Sequence, residues 1–402
     1  MIPADEILEA LDLSRAQPGA GFLEALFARF NAKVPFENVS KIVRHADVPA
    51  PEEKPRRPEV FWRDHLALGT GGTCFARVAA FDALLTDLGF RTRRVLGRVR
   101  KMNDHAALFV ETPGGETIAD VGYPLPALVP AKAGLVETPT VDLRVEAGES
   151  GFEVHFEGGI PEGNRSVGIG ASTAPPEEFE ATWRDTFREG AIFLQEVSLR
   201  RDLGNRVLSF ARGQARVDDR CSRLTVPLPA PRAAALATLF GVEEPVLSRA
   251  LALAGDPGPA QPDALLTAYL ETDAPVDRAF AAIGSREGYG RLLSGVAEVR
   301  DLGPTADGFR LALAASAEAR GESVLEEDVS PDAAGRQVRV RRRAGGLEHR
   351  SAFRALERDG RRFLVREATL SGAREDLLRN DSLRGRFAAN LAVDLLAWAR
   401  ML

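Results

Sequence analysis

The side chains in this 402-residue sequence that could act as a nucleophile or base include two cysteines, Cys74 and Cys221, and five histidines. Two thiols cannot form a disulfide framework and are too few for a cysteine-based zinc site, so each is weighed singly. Cys74 follows Gly71-Gly72-Thr73 and precedes an apolar period of Phe75, Val78, Phe81, Leu85 and Leu88 that stops at Gly89. That spacing predicts a helix with Cys74 in its first turn and Gly89 as a left-handed C-terminal cap. A helix N-terminus and a neighbouring imidazolium both favour the thiolate, which is the attacking form of cysteine. Gly71 and Gly72 have no side chains, so an acyl thioester could approach the backbone there while amides at the helix start stabilise its oxyanion. Taken alone, two glycines before a cysteine also fit a buried thiol on a packed helix.

A base follows from strand geometry. Arg93 to Val99, Ala106 to Glu111 and Thr117 to Val121 read as strands, with a turn through Pro113-Gly114-Gly115. In an antiparallel pair joined by an even-numbered loop, residues whose numbers sum to an odd constant share a face, which puts His105 and Asp120 on one side, opposite or diagonal. Such a pair suits a nucleophile's base and the carboxylate that orients it. Asp104 adjoins His105 in sequence, but strand neighbours point to opposite faces, so Asp120 is the better partner. His45 and His65 fall in loop-like segments, His155 alternates with Val154 and Phe156, and His349 lies far down the chain. Solvent-facing positions are expected for these four.

The elements that must hold these residues begin with two short helices over residues 5 to 30, separated by Gln17-Pro18-Gly19. The charged, proline-rich run from Pro49 to Pro58 reads as a solvated loop without function. After the helix at Cys74, short strands up to about residue 160 suggest a small barrel. Pro175 to Arg188 reads as helix, further strands follow, and Pro231 to Ala254 returns to helix with Leu236, Leu239, Val242 and Leu247 on its apolar face. Gly255 to Asp263 holds three prolines and two glycines and is the linker candidate. Beyond it come a strand at Thr267 to Glu271, a helix opened by Pro275, and strands at Val338 to Arg341 and Phe363 to Thr369. A hairpin at Asp359-Gly360 and a final helix presenting Leu383, Phe387, Leu391, Leu395 and Trp398 on one face complete the pattern.

The bulk properties narrow the partners. With 45% hydrophobic and 27% charged residues and a net charge of -6, the chain can bury more than one core and offers no global positive field for nucleic acid or anionic membrane. The arginines from Arg336 to Arg343 read as the wet face of a strand. Neither a signal peptide nor a run of about 18 apolar residues is found, so no membrane span and a cytoplasmic location are expected.

Four separated motifs occur in one order: Val34-Pro35-Phe36-Glu37-Asn38, Thr70-Gly71-Gly72-Thr73-Cys74-Phe75, His105, and Asp120-Val121-Gly122-Tyr123. Over roughly residues 1 to 255 they resemble the arylamine N-acetyltransferase family. The resemblance implies an α+β fold of a helical subdomain, a β-barrel and an α/β lid on a cysteine-protease-like core. It also implies a ping-pong reaction in which acetyl-CoA acylates Cys74, His105 acts as base with Asp120 as its partner, and an amine takes the acyl group. Phe36 and Tyr123 match aromatic positions of the family's acceptor pocket, and ordinary core aromatics are the competing reading. The family usually carries arginine before the two glycines and glutamate or glutamine two residues after the cysteine, where this chain has Thr70 and Ala76. The two polar partners are missing together, so neither leaves a buried charge unpaired, and the electrostatics of the pocket must differ.

Residues 265 to 402, after a linker at 256 to 264, resemble the START-like or polyketide-cyclase-like (SRPBCC) helix-grip domains. The likeness rests on Asp273-Ala274-Pro275-Val276, the run of hairpins and the closing amphipathic helix. It implies a curved sheet around a long helix and an apolar ligand, with a filled structural cavity as the bland reading. The expected function is an acyltransferase that forms a Cys74 acyl-enzyme from acetyl-CoA or a longer acyl-CoA and passes the acyl group to a small-molecule amine. No metal is needed, and the second domain would bind a hydrophobic ligand. An amide synthase using a longer thioester is a near neighbour. Transglutaminase-like or peptidase-like hydrolysis uses the same triad but lacks the Pro-Phe-Glu-Asn motif. The alternative of another class is a catalytically altered binding protein that acts through capture of a lipid or polyketide-like ligand.

Overall fold

The computed structural model describes residues 2–161, 166–255, 258, 263–293, 297–315, 325–344, 347–370, 378 and 380–402. They fall into two compact units, Met1–Arg220 with Pro227–Ala260, and Cys221–Val226 with Gln261–Leu402. The division therefore differs from a single cut at the linker, because a short strand segment before residue 227 goes with the second unit. Most of the expected 256 to 264 linker lies outside the described residues.

In the first unit, α1 (Ala4–Ala10) and α2 (Ala20–Lys33) flank the Pro18-Gly19 break, followed by β1 (Phe36–Glu37), α3 (Val39–Asp47), α4 (Pro58–Leu68) and α5 (Cys74–Asp87). The helical period of α2 buries Leu23, Leu26, Phe27 and Phe30. Phe30 packs on Trp62 of α4 at 5.8 Å and Phe81 of α5 at 4.8 Å between ring centroids, and the Trp62 indole donates to Ala80 O at 3.2 Å. These aromatics lock α5, and with it Cys74, against the helical layer. The run expected to be a solvated loop instead forms a 3-10 turn at Pro51–Glu53 and opens α4 at Pro58, where a missing N–H costs nothing. Arg56 within it is buried.

After α5 come β2 (Thr92–Arg98), β3 (Met102–Thr112), β4 (Gly115–Ala119), β5 (Val129–Pro130), β6 (Gly134–Val136), β7 (Asp142–Gly148), β8 (Gly151–Glu157) and β9 (Ser166–Thr173). They form one antiparallel sheet in the order β5-β4-β3-β2-β9-β8-β7-β6. Among the described residues its hydrogen bonding runs from β5 to β6 without closing, so the expected barrel is an open sheet. The β3–β4 hairpin pairs Thr112 with Gly115 and Leu108 with Ala119, leaving the two-residue loop Pro113-Gly114. Helix α6 (Pro176–Asp185) follows, then β10 (Leu199–Asp202), β11 (Val207–Ala211) and β12 (Gln214–Asp218), which extend from β1 in the order β1-β10-β11-β12. The helix expected from 231 to 254 is two, α7 (Ala233–Phe240) and α8 (Glu244–Ala254), because Gly241 takes φ 72° and ends the first.

The second unit contains β13 (Ser222–Pro227), β14 (Ala264–Glu271), α9 (Val276–Ile283), α10 (Arg286–Leu293), β15 (Ala297–Thr305), β16 (Gly308–Ala315), β17 (Leu325–Asp332), β18 (Gln337–Ala344), β19 (Leu347–Arg358), β20 (Arg361–Leu370) and α11 (Asp381–Ala399). The strands run β13-β14-β20-β19-β18-β17-β16-β15, with β15 to β20 linked as successive hairpins. Helix α11 is fixed to the sheet by an Arg366–Asp394 ion pair at 2.9 Å and by Trp398, whose ring meets Phe353 at 5.9 Å and whose indole donates to Ala279 O. Leu391, Leu395 and Trp398 face inward as expected, but Phe387 is 40% exposed, and the Leu383 side chain lies outside the described residues. The arginine run divides by strand alternation. Arg342 shares its face with buried Val338 and Val340 and donates to buried Glu327 at 2.7 Å, so it does not belong to a wet face. Among the described residues no helix is long and apolar enough to cross a membrane.

Candidate active site

Cys74 opens α5 behind the N-cap Thr73, at the end where backbone amides lack helical acceptors. His105 extends from β3 and Asp120 lies just past β4. The hairpin register explains why they meet: Leu108↔Ala119 carried outward sets position 105 opposite 122, so Asp120 is the same-face diagonal neighbour of His105. His105 Nε2 is 2.7 Å from Asp120 Oδ2. The other carboxylate oxygen accepts from the Gly122 and Tyr123 amides at 2.9 and 2.8 Å, which aims the group at the imidazole. That arrangement turns Nδ1 away from Asp120; the hydrogen bond the thiol makes is to Asp104 O, at 4.0 Å, and the Cys74 sulfur acts on the ring electrostatically. A Cβ on Gly122 would stand 3.0 Å from both Cys74 Cβ and His105 Cε1, so the bare backbone of Gly122 fills the space where the two side chains converge.

Cys74 is 7% exposed, and His105 and Asp120 are buried. Burial acts to lower the His105 pKa, but the Asp120 carboxylate and the Cys74 sulfur outweigh it and raise it to about 10. The ring is therefore an imidazolium at neutral pH, beside the sulfur. Cys221 is exposed, so access alone would make it the faster thiol. Iodoacetamide at pH 6 is expected to label Cys74 well ahead of Cys221, read by peptide mass mapping, because the imidazolium favours the reactive thiolate. Equal, slow labelling would contradict an activated sulfur.

Asp104 has a different task. Its carboxylate accepts from the Val99, Arg100 and Lys101 amides at 2.7, 3.1 and 3.1 Å and closes the β2–β3 hairpin. The remaining histidines depart from expectation in part. His45 sits on α3 with Nδ1 3.1 Å from Lys54 Nζ. His65 sits on α4, its ring on Thr70 O at 2.9 Å, and burial lowers its pKa to about 4. His155 is half-buried and pairs with Glu146 at 3.2 Å, and His349 is exposed in the second unit. Tyr123 stands edge-on to His105 at 6.4 Å and packs on Phe156, while Phe36 meets Phe193 at 5.5 Å.

Gly71 and Gly72 are explained by protein packing. A Cβ on Gly71 would lie 1.8 Å from Pro35 O, and one on Gly72 would lie 3.0 Å from Ala76 Cβ and 3.2 Å from Phe61. The Gly72 amide already donates to Pro35 O and its carbonyl accepts from Glu37 N, so the approach expected for a thioester at these glycines is taken up by the β1 segment. The oxyanion donors left are the first-turn amides of α5. Among the described residues no cluster of three or more His, Cys, Asp or Glu side chains is arranged to hold a metal ion.

Residues 21–139, which include all three side chains, match the sequence profile of the N-acetyltransferase family. The arylamine N-acetyltransferase of Escherichia coli K12 is 32% identical over 108 residues, 25% of this chain. That match spans just over a third, 36%, of the relative's length. Solved structures extend the likeness. The Mycobacterium smegmatis arylamine N-acetyltransferase superposes with TM-score 0.55 at 18% identity, covering 63% of this chain and 100% of that one. The Mycobacterium marinum enzyme in complex with CoA gives TM-score 0.53 at 18% identity, covering 62% of this chain and 98% of that one. The first unit has the arylamine N-acetyltransferase fold.

Against the arylamine N-acetyltransferase pattern, the missing arginine at Thr70 is answered from elsewhere in the chain. Arg56 donates to Gly71 O at 2.7 Å, to Thr70 Oγ1 at 3.0 Å and to Ser40 Oγ. It lies 3.8 Å from the buried Glu37 carboxylate and 3.2 Å from Asp64. Sequence reasoning missed it because all but one of these partners lie 14 or more residues away. Arg77, beside Ala76, is also fully buried and donates to Val121 O, Val34 O and Asn31 Oδ1, binding the helical layer to the Asp120–Tyr123 turn. A buried cation therefore stands at this loop although neither position 70 nor position 76 carries the family's polar side chain.

Proposed function

We propose that the first unit is an N-acyltransferase that carries its acyl group on Cys74. What carries the reading is the His105–Asp120 hydrogen bond together with the convergence of Cys74 and His105 on the bare backbone of Gly122, in the fold and sequence region shared with arylamine N-acetyltransferases. Acetyl-CoA is the donor this reading implies, since a solved relative of the same fold is described with CoA. The Cys74 thiolate attacks the thioester carbonyl while first-turn amides receive the oxyanion, and the departing CoA sulfur takes the proton from the His105 imidazolium. In the second half a small amine attacks the Cys74 thioester, His105 accepts the amine's proton, and the thiolate returns. Asp120 holds the ring orientation throughout.

The second unit is proposed as a START-like helix-grip domain that presents an apolar ligand. Its order of strand, two helices, six hairpin-linked strands and a final helix laid on the sheet supports this reading. Intact-protein mass spectrometry after incubation with a panel of acyl-CoA thioesters tests the function. The expected outcome is one acyl adduct on the wild type and none on Cys74→Ala. A wild type left unmodified by every donor would favour a binding protein instead.

A further inference from the structure

One buried cation of the first unit has no role in the chemistry above. Lys41, on α3, is 5% exposed. Its ammonium donates to Thr186 Oγ1 at 2.8 Å and lies 4.7 Å from the Phe187 ring centroid and 5.9 Å from that of Phe193. An ammonium has three donors, and a single hydroxyl is its hydrogen-bond partner among the described residues. Two other buried cations of the unit are treated differently: Arg56 has Glu37 and Asp64 within 4 Å, and Arg77 spends its donors on two carbonyls and an amide oxygen. No carboxylate of the described residues forms an ion pair with Lys41. Burying a charge this way costs free energy that the two aromatic faces only partly offset.

The position of Lys41 connects that cost to the active site. Phe193 meets Phe36 edge to face, and Phe36 forms a parallel bridge with Gly72, two residues before Cys74. Burial lowers the Lys41 pKa to about 8, so the amine is mostly protonated at neutral pH. Arg200 is the direct cross-strand partner of Phe36 and shares its face, and its buried Nε has no hydrogen-bond partner among the described residues. Two cations with unused donors among the described residues thus flank one aromatic cluster, which is bridged to the segment leading into Cys74.

We propose that Lys41 is a specificity residue that receives a substrate carboxylate, with Phe187 and Phe193 bordering the apolar part that carries it. A carboxylate supplies the acceptors the ammonium lacks and neutralises the buried charge, which a neutral amide or alkyl group cannot do. The carboxylate could belong to the acyl group or to the amine. The inference rests on reading Cys74 as the acyl carrier, and the test separates the two.

With the full chain, kcat/KM is compared for an aminobenzoate and the matching aminobenzamide using acetyl-CoA, and for succinyl-CoA and butyryl-CoA using a neutral arylamine. In one arm the wild type is expected to favour the carboxylated member by roughly tenfold or more, the scale of a charge-assisted hydrogen bond. That ratio should fall to near one in Lys41→Met and be partly retained in Lys41→Arg, and the arm that responds names the source. A wild-type ratio near one in both arms overturns the proposal, as does a ratio unchanged in Lys41→Met or an acyl group found on Lys41 itself. Calorimetric titration with benzoate and with succinate gives a readout that needs no turnover. Wild type binding neither, or Lys41→Met binding as wild type does, overturns the inference even if no donor acylates Cys74.

Discussion

Asp120→Asn is expected to fold normally and to lose roughly three to four orders of magnitude in kcat, the scale seen when a triad's carboxylate is replaced by its amide. The amide oxygen of asparagine can still accept from the Gly122 and Tyr123 N–H groups, so the turn after β4 keeps its shape. What changes is the group facing His105. An NH2 now points at Nε2, which must become an acceptor, and the ring's proton moves to Nδ1, the nitrogen that should take a proton from the thiol or amine. The base is then blocked at the atom where it works. Steady-state rates paired with a thermal melt check this, and a fall of less than about tenfold with the fold intact would remove Asp120 from the reaction.

The same substitution has a signature in stability. The folded-state pKa of His105 is raised to about 10, against about 6.5 for an unperturbed histidine. A raised pKa contributes stability that is fully present below about 6.5 and is lost as pH rises through about 10. In Asp120→Asn the carboxylate is gone and only the Cys74 sulfur opposes burial, so the pKa is raised less than in the wild type. The wild type should therefore lose more of its urea midpoint between pH 6 and pH 10 than the variant does. Parallel curves would mean that the His105–Asp120 pair is not charged in the folded protein.

How far the sequence reaches depends on the range of the interaction. His105 and Asp120 were legible because a period of two and a two-residue loop fix which strand residues share a face, and both facts are local. Cys74 at the start of α5 was legible for the same reason, since Gly71, Gly72, the following apolar period and Gly89 all lie within one helix length. Arg56 was hidden in a charged, proline-rich run whose composition says loop. Its burial is decided by Ser40, Thr70 and the Gly71 carbonyl, which only the folded chain brings together. Lys41 was hidden similarly, on a short helix whose inward side is set by Thr186, Phe187 and Phe193 far along the chain. In the second unit Arg341 and Arg342 look alike in sequence, yet pleating sends them to opposite faces, and only the latter meets Glu327.

Arg56→Met should cost about 3–5 kcal/mol of unfolding free energy, the range for removing one member of a buried ion pair. The reason lies in what remains behind. Glu37 is fully buried, and apart from the Ser40 hydroxyl at 2.6 Å and the Ser40 amide at 2.8 Å it would keep a desolvated carboxylate with its nearest cation deleted. Thr70 Oγ1 and Gly71 O lose a donor as well, in the segment that leads into Cys74. If the uncompensated carboxylate dominates, Glu37→Gln in the Arg56→Met background should recover part of the loss, whereas Glu37→Gln alone should destabilise. If packing of the guanidinium stem dominates, the two losses simply add. Urea unfolding of the four proteins in this cycle measures the coupling directly, and additivity within about 0.5 kcal/mol would show that Arg56 and Glu37 act independently. A positive coupling would mean that the cation missing at position 70 has been replaced, in energetic as well as geometric terms, by one from the far side of α4.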